Sequence, residues 1–318
     1  MRSFFLRAYQ VILSPEPISI ELMQLLEGNK VSEKIIEEIA LFTAAQKEAN
    51  LRVPHLAAIL VGDDGASRTY VAAKVKACER AGMRSTLLTF PSDIDEEKLL
   101  TSMRELNGNP DIDGYIVQLP LPFHINESRI IEAVDPAKDV DGFHPQNLGR
   151  MMLSKECFIP ATPKGIMELL RRYEIATEGK NCVVLGRSHI VGLPVAILMQ
   201  RNMNPGNATV TIVHSKSKGV EEICRRADIL IVATGRPEMV TGDMVKPGAV
   251  VVDVGITRIP DASKKSGFRL VGDVHFDQVA PLCSYITPVP GGVGPMTIAA
   301  LLQNTVQAFE RRDGISKS

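Results

Sequence analysis

The chain has 318 residues, with 36 basic and 37 acidic side chains and a formal net charge of −1. No global field therefore favours nucleic acid or an anionic membrane surface, and no apolar run approaches the roughly 20 residues that a membrane span needs. A hydrophobic content of 45% with 5% aromatic residues and no Trp fits a globular α/β protein with room for two domains.

Residues 1–22 read as an N-terminal extension. Arg2, Arg7, several large apolar residues and no acid before residue 15 suggest an organellar presequence or a short secretory signal. Against both, Val11-Ile-Leu13 is a short apolar core, Glu16 and Glu21 follow, and Met23 offers an alternative start. Ser32 is the expected cap of a helix with Ile35, Ile36, Ile39 and Phe42 on one face. Residues 56–61 form a buried strand ending at Gly62, and a helix runs from near Ser67 to a glycine stop at Gly82. Within it Tyr70 and Lys74 stand four apart and share a face. A strand (85–90), a helix (94–107) capped by Asp95, and a strand (114–119) closed by Pro120-Leu-Pro122 come next. A short helix (126–134) leads to the polar loop 135–142. Such βαβ alternation implies a parallel sheet with ligands at the carboxyl ends of its strands, where Gly62, Gln118 and the loop 139–142 fall.

Thr162-Pro163 supplies a cap and first-turn pair for a helix ending near Tyr173, which leads into a second domain. Residues 182–185 form an apolar strand that breaks at Gly186. After Gly192, Val195, Ile197, Leu198 and Met199 resume at helical spacing. A strand that turns on glycine into a helix aims free N–H groups and a positive dipole end at one point, which suits a phosphate. The spacing is not G-x-G-x-x-G, so an ordinary strand–turn–helix without a ligand stays open. The next strand (209–213) ends at His214-Ser-Lys-Ser-Lys218. A carboxylate there would hold the ribose 2′-hydroxyl of NAD; Ser215, Lys216 and Arg187 instead suit the 2′-phosphate of NADP, the alternative being a solvated basic loop. Gly235 and Gly255 follow strands at 229–232 and 249–254. Pro288-Val-Pro-Gly-Gly-Val-Gly-Pro295 is expected to be a rigid close-approach loop rather than helix or central strand. The last helix (297–311) is expected to return to the first domain. The five scattered cysteines suggest reduced, buried thiols in a cytoplasmic setting. No metal is expected, since the histidines lack ligand spacing.

Several segments, taken in order, resemble one family. They are Tyr70-Val-Ala-Ala-Lys74, Val117-Gln-Leu-Pro-Leu-Pro122, Lys138-Asp-Val-Asp-Gly142, Pro160-Ala-Thr-Pro-Lys-Gly165, Gly186-Arg-Ser-His-Ile-Val-Gly192 and Ile286-Thr-Pro-Val-Pro-Gly-Gly-Val-Gly-Pro-Met-Thr297. Together they resemble the bifunctional methylenetetrahydrofolate dehydrogenase/cyclohydrolases over residues 23–312. The resemblance implies a folate-binding α/β domain (23–162 plus 297–318) and a Rossmann-like NADP-binding domain (163–296) across a cleft, in a homodimer. It implies oxidation of 5,10-methylene-tetrahydrofolate with NADP, then hydrolysis to 10-formyl-tetrahydrofolate. It makes Lys74 the key residue of the hydrolytic step, with Tyr70 and Gln118 beside it, and Asp141 the pterin anchor. Pro290 and Gly291 join Tyr70 and Asp141 as substrate-side candidates. Gly186, Arg187, Ser188, Ile190, Gly192, His214, Ser215, Gly255, Ile256 and Thr287 are the cofactor-side candidates. Ala161 departs from members with cysteine there, and His189 occupies a variable slot.

Each residue also has a plainer reading. Lys74 on an amphipathic helix reads as a solvated surface lysine, Tyr70 as core packing, and Gln118 as an amide capping backbone groups. Asp139 reads as structural, in a segment where Asx-turns are common. Two rivals share the fold. One is a monofunctional NAD-dependent methylenetetrahydrofolate dehydrogenase; the other is a non-catalytic nucleotide-sensing relative.

Overall fold

The computed structural model describes residues 23–264 and 267–314. The extension expected at residues 1–22 lies outside the described residues. The chain opens with β1 (Gln24–Leu25), α1 (Gly28–Glu48), β2 (His55–Val61), α2 (Gly65–Arg80), β3 (Arg84–Phe90), α3 (Glu96–Gly108) and β4 (Gly114–Val117). Three short or connecting helices follow: α4 (Glu127–Glu132), α5 (Pro145–Met152) and α6 (Ala161–Arg172). The second half runs β5 (Asn181–Leu185), α7 (Gly192–Gln200), β6 (Thr209–Val213), α8 (Val220–Arg225), β7 (Ile229–Val232) and β8 (Val250–Asp253). An antiparallel ribbon, β9 (Thr257–Pro260) and β10 (Phe268–Val271), precedes α9 (Phe276–Val279), β11 (Tyr285–Ile286) and α10 (Val293–Arg312).

The smaller sheet is parallel in the order β3-β2-β4, and Asp139 adds a parallel bridge to Tyr115 at its edge. The larger sheet is parallel in the order β1-β11-β8-β7-β5-β6. Its order reverses at β5, since β6 lies on one side and β7 on the other, and the crevice at such a switch point is where doubly wound sheets bind ligands.

Strand alternation assigns each face to a core. Leu56, Ala58 and Leu60 of β2 join Cys182 and Val184 of β5 in one continuous core that includes α1, α6 and α10. Ala57, Ile59 and Val61 face a second core under α3, and Val183 and Leu185 face a third. The helices α1, α6 and α10 pack on one another between the two sheets, and each is joined directly to a strand of the larger sheet. The chain thus passes between the lobes at residues 26–27, 173–180 and 287–292.

Several element starts differ from the sequence expectations. Ser32 does not cap α1, which begins at Gly28; the first-turn N–H of Asn29 donates to Gly291 O at 2.9 Å, and Ser32 Oγ bonds back to Asn29 O. Thr162 lies inside α6, whose Ala161 N–H donates to Asp141 O, and its hydroxyl meets that of Thr297 at 2.9 Å. The proline-rich run is partly helical, because Val293, Gly294 and Pro295 form the first turn of α10. A proline is tolerated there, since first-turn N–H groups have no partner within the helix. Asp95 caps α3 as expected, and Asn126 caps α4.

Candidate functional site

Between the lobes lies a cavity of about 580 Å³. Tyr70 and Thr297 line it from one side, Val254, Gly255 and Ile256 from the other, and Pro288 to Pro295 forms its end. Asp64, whose side chain accepts from Ser67 N–H at 2.7 Å, caps the helix that delivers Tyr70 and Lys74. The Lys74 ammonium sits 4.6 Å from the centre of the Tyr70 ring and donates to Gln118 Oε1 at 3.1 Å. Gln118 in turn donates to Leu119 O at 2.6 Å, which fixes its oxygen toward the lysine. Lys74 is only 4% exposed, so the solvated-surface reading fails. Tyr70 lines the cavity; Lys74, Gln118 and Asp141 stand behind it.

Burial pushes Lys74 below its ordinary pKa, and the negative charge of Asp141 opposes that shift. Burial also raises Asp141, opposed by Lys74, and raises the Tyr70 phenol with help from the Asp141 charge. The half-buried Asp141 carboxylate has no hydrogen-bond partner among the described residues, which leaves it free to accept from a ligand. Its neighbour Asp139 is committed instead: it accepts from the N–H groups of Gly142, Phe143 and His144 and from the Asn147 amide. Burial carries its pKa up to about 6. Asp139 is therefore the structural clamp of this loop, as its turn-like setting suggested. Asn304 of α10 secures the same region by donating to Val140 O and Ile159 O, with Lys164 on its own oxygen at 2.7 Å.

A second cavity, of about 370 Å³, opens at the β5 switch point. Gly186, Arg187 and Ser188 line it with His214, Ser215 and Thr234. Gly186 has φ +127°, and a Cβ there would lie 2.2 Å from Ala233 O. Only glycine allows the turn to pass so close to the end of β7. Ser188 Oγ accepts from the N–H groups of Val191 and Gly192, and a Cβ on Gly192 would strike Gly186 O at 2.3 Å. His214 closes the following turn by accepting the Lys216 N–H on Nδ1. Arg236, which strand-end logic did not single out, also lines this cavity.

Two of the cofactor-side candidates lie away from both cavities. Thr287 is fully buried and its hydroxyl bonds the Asp253 backbone, accepting from N at 2.7 Å, so it faces the sheet and not the cleft. Ile190 is 39% exposed and lines neither cavity, because the turn points it outward. Gly255, Ile256, Pro290 and Gly291 do line the inter-lobe cavity. Sequence reasoning also missed a carboxylate pair. Asp253 accepts from the N–H groups of Gly255, Asp273 and Val274, and Asp273 accepts from those of Thr234 and Gly235. The pair ties together the loops after β7, β8 and β10. No motif announces it, because all the partners but Gly255 lie 20 to 39 residues away. Among the described residues no grouping of three His, Cys, Asp or Glu side chains suits a metal ion.

Two α/β lobes, one with a glycine turn at a topological switch point and one with a buried lysine at its strand ends, define a two-domain nucleotide-binding α/β protein. The family model described as "Tetrahydrofolate dehydrogenase/cyclohydrolase, catalytic domain" matches residues 26–141, and the model for the NAD(P)-binding domain of the same family matches residues 160–313. The chain belongs to the tetrahydrofolate dehydrogenase/cyclohydrolase family. It is 64% identical over 286 residues to the bifunctional protein FolD of Cytophaga hutchinsonii, covering 90% of this chain and 99% of that one. Its fold is similar to the crystal structure of the bifunctional enzyme FolD from Campylobacter jejuni, with TM-score 0.85, 47% identity and coverage of 91% and 99%. It is also similar to the Trypanosoma brucei enzyme, whose structure was solved with NADP cofactor and inhibitor, with TM-score 0.86, 39% identity and coverage of 91% and 98%.

Proposed function

We propose that this protein oxidises 5,10-methylene-tetrahydrofolate to the 5,10-methenyl compound with NADP and then hydrolyses it to 10-formyl-tetrahydrofolate. The observation that carries the reading is the buried Lys74 amine, held by Gln118 at the strand ends of one lobe beside the Tyr70 ring that lines the cavity. Bound NADP supplies the hydride acceptor. The protein's part in that step is positioning, because loss of hydride leaves a cation that the two flanking nitrogens delocalise. Hydrolysis asks for more. Water oxygen bonds to the bridging carbon and one of its protons passes to the neutral Lys74 amine; the remaining hydroxyl proton then leaves as the oxygen becomes the formyl carbonyl, the bond from that carbon to N5 breaks, and N5 takes up a proton in its place. The open Asp141 carboxylate matches the adjacent ring N–H and amino donors of a pterin.

Residues at the second cavity fit NADP. Arg187, Ser215 and Arg236 present cations and a hydroxyl where a 2′-phosphate would sit, and the Gly186 turn lets backbone approach a pyrophosphate. These cations and Lys74 disfavour both an NAD-dependent monofunctional enzyme and a non-catalytic sensor. The lobe division at residues 23–162 plus 297–318 and 163–296 belongs to this reading, although β1 pairs in the larger sheet. So does a homodimer, for which the exposed edge strand β6 offers a surface. The free, buried cysteines favour a reducing, cytoplasmic setting, and no described helix is long and apolar enough to cross a membrane.

Pure protein mixed with methylene-tetrahydrofolate and either NADP or NAD provides the test. NADP should be reduced faster, with methenyl compound accumulating to less than the reduced cofactor formed. Faster turnover with NAD would reject the cofactor assignment, and stoichiometric methenyl accumulation would reject the hydrolase.

A further inference from the structure

Two buried carboxylates of the nucleotide lobe take no part in the proposed chemistry. Asp253 and Asp273 are 3% and 0% exposed, and their side chains accept only from backbone N–H groups. Neither pairs with a cation among the described residues. Arg269, which shares a neighbouring depression with Asp253, is taken up by Glu238 at 3.5 Å and Asp261 at 3.9 Å. Burial pushes Asp253 up to about 6, with the Asp273 charge adding to it, so at pH 8 Asp253 is still ionised. A buried charge without a counter-ion is costly unless something supplies the opposite sign.

Both groups stand in the wall of the inter-lobe cavity. Asp253 lines it together with Val254, Gly255 and Ile256. Asp273 Oδ1 finds no hydrogen-bond partner and would lie 2.3 Å from a Cβ at Gly255, so it rests directly against the backbone of that wall. The other oxygen of Asp273 holds the N–H groups of Thr234 at 2.6 Å and Gly235 at 2.8 Å, and Thr234 lines the second cavity. The pair therefore lies between the two cavities that the proposed reading gives to NADP, with phosphates at the second cavity and nicotinamide at the Gly255–Ile256 wall.

Resting on that reading, we infer that Asp253 and Asp273 form an electrostatic seat for the cationic nicotinamide ring and make the protein select NADP over NADPH. The ring is positively charged when oxidised and neutral when reduced, and carboxylates in a low-dielectric wall favour the charged form. Phosphates and riboses are the same in both forms, so Arg187 and Arg236 at the second cavity hold them alike. Discrimination falls to the wall, and the same charges ease release of the reduced product.

The test is one of binding, without turnover. NADPH is followed by its own fluorescence, and NADP and 2′,5′-ADP by displacement of it. The wild type should hold NADP about three-fold or more tighter than NADPH. Asp273→Asn removes one charge and keeps an oxygen for the Thr234 and Gly235 N–H groups, while its amide replaces the oxygen that had no partner. In this variant NADP should weaken by about three- to thirty-fold. NADPH should change by less than about two-fold, and 2′,5′-ADP, which has no nicotinamide, should bind as before. A wild type that holds NADPH as tightly as NADP would overturn the seat, and so would a variant in which all three ligands weaken equally or none does. Should the variant not fold, the wild-type ratio alone decides. Failure of both NADP and 2′,5′-ADP to bind the wild type would remove the cofactor reading instead, and this inference with it.

Discussion

Lys74 is held between two opposing influences. Loss of water disfavours its charge, and Asp141 favours it; because the pKa falls, burial wins. A general base works as the neutral amine, which accumulates as pH rises through the folded-state pKa. The hydrolytic rate should therefore climb with pH through a value below the ordinary 10.5 and level off once the amine is neutral. In Lys74→Met that limb should vanish and hydrolysis should fall by about 10²-fold or more, with oxidation reduced far less. Measuring the two half-reactions separately decides it, and unchanged hydrolysis in the variant would reassign the residue. The shared helix face of Tyr70 and Lys74 and the strand-end position of Gln118 were legible in helix periodicity and strand bounds, while the roles proposed for them rest on the family resemblance. Asp273, Asn147 and Asn304 were not, since each works by bonding backbone groups that only tertiary folding brings near.

At the scale of elements, strands were easier to read than helix starts. The bounds 209–213 and 229–232 coincide with β6 and β7, because β7 is an uninterrupted buried apolar run and β6 is a run of β-branched residues at the sheet edge. The starts of α1, α6 and α10 are set by neighbours: the Gly291 and Asp141 carbonyls take the first free N–H groups of α1 and α6, and α10 begins inside a proline-rich loop. The α6–α10 crossing gives a prediction of sign. A Cβ on Gly165 would lie 2.8 Å from the Met296 backbone. Intrinsic propensity says that Gly→Ala in a helix stabilises by roughly 0.5–1 kcal/mol. Overpacking at this crossing should outweigh that, so Gly165→Ala should lose about 1–3 kcal/mol in urea unfolding, whereas Gly108→Ala, with open space around it, should lose nothing. A stabilised Gly165→Ala would mean that the helices separate freely.

At the scale of the molecule the two sheets share one core across a middle layer of helices, with a further core on the outer face of each sheet, a sharing which the sequence suggested only in its returning C-terminal helix. The middle layer was hidden because α1, α6 and α10 lie far apart in the chain and each reads locally as an ordinary amphipathic helix. The proposed dimer belongs to this scale. β6 is the longer of the two edge strands of the larger sheet and exposes Ile212 at 39%. Light scattering behind size exclusion should report twice the monomer mass, and Ile212→Lys should shift the population toward monomer; a monomeric wild type at tens of micromolar would remove the assembly.

A hinge made of one linker lets two bodies swivel in any direction. Here three separate passes of the backbone, each anchored in a helix of the same middle layer, act like three pins set in one door frame. Three attachments restrain the lobes against twisting about one another more than one would. Nicotinamide and pterin would then be offered to each other in a narrower range of orientations on each turnover than across a single tether.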